Sequence, residues 1–199
     1  MAKPWYDRLV KVFMLGDSGV GKTSILRRLM QPEEKLSEQS PTIGIDFGIK
    51  NYKVEGEQVK LQVWDTAGME QYNSAQACTY RNCHAMLLVY SVDNPVSLEK
   101  LKVWRQLAYE YCPSDIHTYV VANKCDIIND RNIPTELGKD LANSFGARFV
   151  EVSSKNGTNV ESMFKNIVDN LILEEKGKNS KEKTIIDLNN KNLYKEQCC

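Results

Sequence analysis

Gly16-Asp17-Ser18-Gly19-Val20-Gly21-Lys22-Thr23 reads as G-x-x-x-x-G-K-[ST], and its surroundings decide the fold. Leu9 to Leu15, just before it, is rich in apolar and β-branched residues and predicts a strand ending at Gly16. Lys22 to Gln31, just after it, carries Ile25, Leu29 and Met30 on one helical face and stops at Pro32. In a strand–turn–helix unit of this kind the glycines let the backbone curl until several N–H groups point at one centre. The positive end of the helix dipole lies behind them. Lys22 brings a point charge to the outer phosphates of a ligand, and the Thr23 hydroxyl is a ligand for Mg²⁺ beside them. The expected binding set is Ser18, Gly19, Val20, Gly21, Lys22, Thr23 and Ser24, and the expected ligand is a nucleoside triphosphate.

Outward from that unit, strand and helix patterns take turns. Phe47 to Val54 and Val59 to Trp64 alternate apolar with polar residues around Glu55-Gly56-Glu57, which predicts a hairpin. Ala85 to Val92 and Thr118 to Ala122 are continuous apolar runs, as in central strands covered on both faces, and Arg148 to Val152 is a last strand. Helices are predicted over Pro95 to Tyr111, where Leu98, Leu101 and Leu107 recur with Trp104 between them and proline stands in the first turn, and over Thr135 to Phe145, closed by Gly146. A third spans Val160 to Leu173, with Val160, Met163, Phe164, Ile167, Val168 and Leu171 on one stripe. The pattern predicts an α/β fold, a doubly wound, mostly parallel six-stranded sheet with helices on both faces. Its ligand loops lie at the carboxyl ends of the strands. From Glu174 the chain turns to Lys, Asn and Glu, so the expected division is a domain over 1–173 and a flexible tail over 174–199.

Composition closes off other classes. The 199 residues, 42% of them hydrophobic, suffice for one domain without metal or disulfide staples. Lys and Arg total 26 and Asp and Glu total 26, so the basic excess of a nucleic-acid binder is absent. The longest apolar run, Ala85 to Tyr90, is far below the roughly 18 to 20 residues of a membrane span. The first residues lack an apolar signal stretch, so a cytoplasmic chain with reduced, mostly buried cysteines is expected.

The base is read far downstream, at Asn123-Lys124-Cys125-Asp126 after a buried strand. The Asp126 carboxylate can accept from the ring N–H and exocyclic amino group of guanine, whereas adenine presents a ring acceptor and is repelled. Asn123 can tie this loop to the phosphate loop, and the Lys124 stem can lie over the purine face. Ser153-Ser154-Lys155, after the last strand, can turn backbone N–H groups to the guanine oxygen. Asp65, in Trp64-Asp65-Thr66-Ala67-Gly68, can hold Mg²⁺ through water, and the Gly68 N–H can meet the γ-phosphate. Thr42, in Pro41-Thr42-Ile43-Gly44, completes the metal shell while the γ-phosphate is present. Loops that grip the last phosphate and release it on hydrolysis form a switch.

These motifs, in order and spacing over about residues 8 to 173, resemble the Ras-superfamily small GTPases and, within them, the Rab family. Ile43-Gly44-Ile45-Asp46-Phe47, Lys60-Leu61-Gln62-Val63-Trp64-Asp65 and the terminal Cys198-Cys199 carry the Rab likeness. The resemblance implies the P-loop GTPase fold and GTP hydrolysis to GDP with Mg²⁺, in a monomer that switches vesicle and membrane traffic. The metal set is then Thr23, Thr42 and Asp65, and the catalytic set Lys22, Thr42, Gly68 and Met69. It further implies geranylgeranylation of Cys198 and Cys199 and attachment to the cytosolic face of endomembranes. The implied partners are an exchange factor, a GTPase-activating protein, effectors, and prenyl-dependent escort proteins including a GDP-dissociation inhibitor. Ile185-Ile186 is either an apolar grip for an escort or a chance pair.

Three departures from the family pattern bear on activity. Met69 stands where the family has a glutamine whose amide orients the attacking water, which a thioether cannot do. Glu34-Lys35-Leu36-Ser37 lacks the aromatic ring that packs on guanine, and Leu36 is the residue nearest to replacing it. Thr79-Tyr80-Arg81-Asn82 stands for the usual Tyr-Tyr-Arg-Gly. Slow intrinsic hydrolysis is therefore expected. The alternative is a GTP-locked scaffold with negligible hydrolysis.

Overall fold

A computed structural model describes residues 5–33, 46–65, 80 and 82–193, with side chains as far as Gly177, Asp46 excepted. Six strands form one sheet: β1 (Arg8–Leu15), β2 (Asp46–Val54), β3 (Glu57–Asp65), β4 (Ala85–Ser91), β5 (His117–Asn123) and β6 (Arg148–Glu151). Their order is β2-β3-β1-β4-β5-β6. All pairings are parallel except β2 with β3, a hairpin whose turn places Glu55 and Gly56 at positive φ, 49° and 83°. The chain moves from β1 out to the edge strand β2, returns through β3 beside β1, and then crosses to β4 on the other side. That reversal opens a crevice at the carboxyl ends of the strands, beside the end of β1.

The described helices are α1 (Lys22–Met30), α2 (Pro95–Glu99), α3 (Leu101–Tyr109), α4 (Thr135–Phe145) and α5 (Val160–Leu193). Alternation along the strands divides the core in two. Val12, Met14, Leu61, Val63, Leu87, Val89 and Val121 pack on one face with Ile25 and Leu29 of α1 and Phe164, Ile167 and Val168 of α5. Phe13, Leu15, Met86, Leu88, Tyr90 and Val120 pack on the other with Leu101 and Ala108 of α3 and Ala142 of α4. Every residue of β4 is buried, as its unbroken apolar run requires. The doubly wound sheet expected from the sequence is thus the observed one.

Two helix expectations are corrected. The helix expected over Pro95 to Tyr111 is divided at Lys100, whose ψ of −15° tightens the turn. Ser97 holds the first piece against the sheet: its hydroxyl accepts from the Ser91 N–H at 3.1 Å and donates to the Asn94 carbonyl at 2.6 Å. The inward stripe there is Leu101, Trp104 and Ala108, while Leu107 is exposed.

The last helix does not end at Leu173. Once a packed stripe has nucleated a helix, Lys, Glu and Asn continue it at small cost per residue, and no proline interrupts 174–193. Its first residues beyond 173 also touch the body. Glu174 lies 3.1 Å from Arg148 and 3.4 Å from His117, Glu175 lies 2.7 Å from Arg8, and Lys176 lies 3.2 Å from Glu57. The helix thus runs on from Leu173 to Leu193. Among the described residues no helix is long and apolar enough to cross a membrane.

Candidate nucleotide and metal site

The end of β1 meets its neighbour at atomic contact. Gly16 has φ +146°, and a Cβ there would stand 2.1 Å from the Val89 carbonyl oxygen of β4. Gly21, the residue before α1, has φ +93° and brings no side chain to cap the helix. Lys22 opens α1 almost wholly buried, and its ammonium donates to the Gly16 carbonyl and, at 2.9 Å, to the Asp17 carbonyl. The cation thus lies across the loop, with the loop backbone curled around it.

Thr23, next along α1, donates its hydroxyl proton to the Asp65 carboxylate at the end of β3, and Asp65 is wholly buried. Two hard oxygen donors from separate elements meet at the rim of the phosphate loop, which is the donor chemistry that suits Mg²⁺. The loop's own carboxylate, Asp17, is compensated from the helices: Lys100 lies 2.8 Å away and the Trp104 indole N–H donates to it at 3.1 Å.

The base loop is built at the ends of β5 and β6. Asn123 is fully buried and bonds in two directions. Its amide donates to the Val20 carbonyl at 2.7 Å and to the Ser154 hydroxyl at 3.3 Å, and its carbonyl oxygen accepts from the Ser154 N–H at 3.1 Å. Lys124 follows with φ +64°, and its ammonium sits 3.2 Å from Asp93. Asp126 accepts from the Ser153 hydroxyl at 2.5 Å and lies 3.9 Å from the Lys155 ammonium. The Cys125 N–H donates to the Val152 carbonyl at 3.1 Å, so the two loops share backbone as well as side-chain bonds.

The charges here are set by these partners. Burial opposes ionisation of Asp93, but the Ser91 hydroxyl and the Lys124 ammonium outweigh it and hold the carboxyl below the usual range. Burial first, then the carboxylates Glu151 and Asp126, push the Cys125 thiol up, so it stays protonated. Cys83, Cys112 and Cys125 are all free thiols.

The structure brings Ser18, Gly19, Val20, Gly21, Lys22, Thr23, Ser24 and Asp65 to one end of the sheet with Asn123, Lys124, Asp126, Ser153, Ser154 and Lys155. Thr42, Gly68, Met69, Cys198 and Cys199, with Glu34 to Ser37 and the Ile185-Ile186 side chains, lie outside the described residues. A cavity of about 350 Å³ opens at the opposite, amino end of the strands, lined by Arg8, His84, His117 and Glu174 among others. No candidate nucleotide residue lines it.

Sequence reasoning missed Arg28. Its guanidinium, almost wholly buried, donates to the carbonyls of Ser154 at 2.8 Å, Lys155 at 2.6 Å and Pro32 at 2.5 Å. A basic residue in the last turn of a helix is the only local signal, and it does not separate Arg28 from the exposed Arg27. The Asp17 link to Lys100 and Trp104 was missed for the same reason.

Comparison with known proteins agrees with this architecture. The Ras family pattern matches residues 11–173. Ras-related protein Rab-8B of Pongo abelii and that of Homo sapiens are each 40% identical over 164 residues, covering 82% of this chain and 78% of theirs. Ras-related protein RIC1 of Oryza sativa subsp. japonica is 33% identical over 199 residues, covering 98% of both. With its sheet order, its phosphate loop and these relatives, the chain belongs to the Ras family of small GTPases.

Proposed function

We propose that this protein is a Rab-type switch of membrane traffic that binds GTP and GDP with Mg²⁺ and hydrolyses GTP slowly. The observation that carries the reading is Asn123. One buried side chain bonds the phosphate loop at Val20 and the base loop at Ser154, so the two loops form one cradle for one nucleotide. Ser18 to Ser24 hold the phosphates, Lys22 among them as the buried cation. Asp126 takes the donor edge of guanine and Lys124 covers its face. Thr23 and Asp65 hold the metal, joined by Thr42, and the bound Mg²⁺ supplies positive charge against the phosphate oxygens. Thr42 and Gly68 sense the γ-phosphate. Calorimetry with Mg²⁺ present tests the site: GDP should bind at least a thousandfold more tightly than ADP. Equal affinities would overturn the assignment.

Met69 sets the rate in this reading. Without an amide to orient water, intrinsic hydrolysis runs one to two decades slower, about 1.4 to 2.7 kcal/mol of barrier. In single-turnover assays Met69→Gln should raise the rate by about tenfold to a hundredfold, and equal rates would refute the role given to Met69. A GTPase-activating partner that supplies its own arginine and glutamine compensates for the loss. Met69 also favours the second reading, a scaffold locked with GTP. Freshly purified protein carrying mostly GDP supports the cycling switch, and mostly GTP supports the scaffold.

The family likeness supports a membrane role through geranylgeranyl groups on Cys198 and Cys199. A single chain holds only marginally, so two give stable attachment that an escort protein can still reverse. The monomer would meet exchange factor, activating protein and effectors on the cytosolic face of endomembranes. A tagged chain should bind membranes and lose that binding when the last two residues are removed.

A further inference from the structure

Arg28 is a buried cation that no ion pair explains. Among the described residues no carboxylate lies within ion-pair distance of it, and its acceptors are three backbone carbonyls from two segments. It sits in the last turn of α1, near the negative end of that helix dipole. Its planar fork spans the adjacent carbonyls of Ser154 and Lys155, a geometry that a lysine ammonium does not reproduce.

Holding those carbonyls also orients the N–H groups behind them. A trans peptide unit directs its C=O and N–H to opposite sides, and no cis peptide occurs among the described residues. With the Ser154 carbonyl turned to Arg28, the Lys155 N–H faces away from Arg28. The Asn156 N–H, behind the second carbonyl, is already engaged by the Ser153 hydroxyl at 3.2 Å. That hydroxyl in turn donates to Asp126. No backbone carbonyl among the described residues accepts from the Lys155 N–H. On the other side Asn123 accepts from the Ser154 N–H, so the peptide is clamped from both ends.

We propose that Arg28 is a positioning residue for guanine recognition, because its grip on the Ser154 and Lys155 carbonyls aims the Lys155 N–H at the 6-oxo group of the base. This rests on the reading of the site as a guanine-nucleotide site and deepens it. Its third bond, to Pro32 just beyond α1, fixes the same side chain to the start of the segment that carries Thr42.

The test uses the full chain with Mg²⁺, three diphosphates that differ around the 6-position, and ADP as the reference. GDP and inosine diphosphate keep the 6-oxo group, and 6-thioguanosine diphosphate replaces it with sulfur, a weaker acceptor. Wild type that fails to prefer GDP over ADP overturns the functional reading before any variant is measured. Given that preference, Arg28→Lys should weaken GDP and inosine diphosphate by about tenfold and the thio analogue by less than about threefold. Arg28→Gln should show the same ratio with a larger loss. Equal loss for all three diphosphates, or no loss, overturns the proposal, since a merely structural role does not distinguish oxygen from sulfur. Circular dichroism monitors folding. Loss of the fold in both variants also overturns it, because Arg28 would then act in stability alone.

Discussion

Asp126→Asn is expected to lower affinity for GDP by about three orders of magnitude or more, with little change in the fold. The carboxylate is the only group at this position that presents two acceptors to the two donors on the guanine edge. An amide of the same shape replaces one acceptor with a donor, so a lost bond becomes a repulsive contact in a partly dry site. The Ser153 hydroxyl, 2.5 Å from Asp126, can donate to the remaining amide oxygen, which keeps the loop in place. Titration of nucleotide-free protein with GDP and Mg²⁺ measures the loss, and thermal unfolding without nucleotide monitors the fold. A loss below tenfold would show that Asp126 does not read the base.

Gly16→Ala is expected to cause the largest loss of stability of any single methyl addition in the phosphate loop. Two terms add. The φ of +146° is a conformation that L residues rarely adopt, and strain of this kind costs about 1 to 3 kcal/mol. The new Cβ would also stand 2.1 Å from the Val89 carbonyl oxygen, a backbone atom in a fully buried strand that has no room to retreat. Together these imply about 3 kcal/mol or more, or a fall in Tm of roughly 6 to 12 °C for a domain of this size. Gly56→Ala is the control, because φ there is +83° but no atom lies within 4 Å of the added carbon. It should cost only about 1 to 2 kcal/mol. Equal melting temperatures for the two variants would refute the close contact at Gly16.

How legible each element was depended on how local its cause was. Helix α4 runs from Thr135 to Phe145 and closes at Gly146 with φ +63°, as the sequence predicts, because apolar spacing and a left-handed terminal residue are properties of neighbours in the chain. The hairpin of β2 and β3 was legible for the same reason. The divided helix at Lys100 was not, because Ser97 bonds across to β4 and that bond belongs to packing. The length of α5 was not legible, because continuation of a helix already nucleated needs little burial and leaves no apolar stripe to read.

The sequence alone determined the strand–turn–helix unit at Gly16 to Thr23 and the alternation that makes a doubly wound sheet. These follow from residue type and short-range period, which need no knowledge of what lies opposite. Only the tertiary structure decided that Asp17 is answered by Lys100 and Trp104, and that Arg28 grips the loop at Ser154, 126 positions away. The physical reason is that a buried polar group must find its partner wherever packing delivers one, and sequence separation carries no information about that distance.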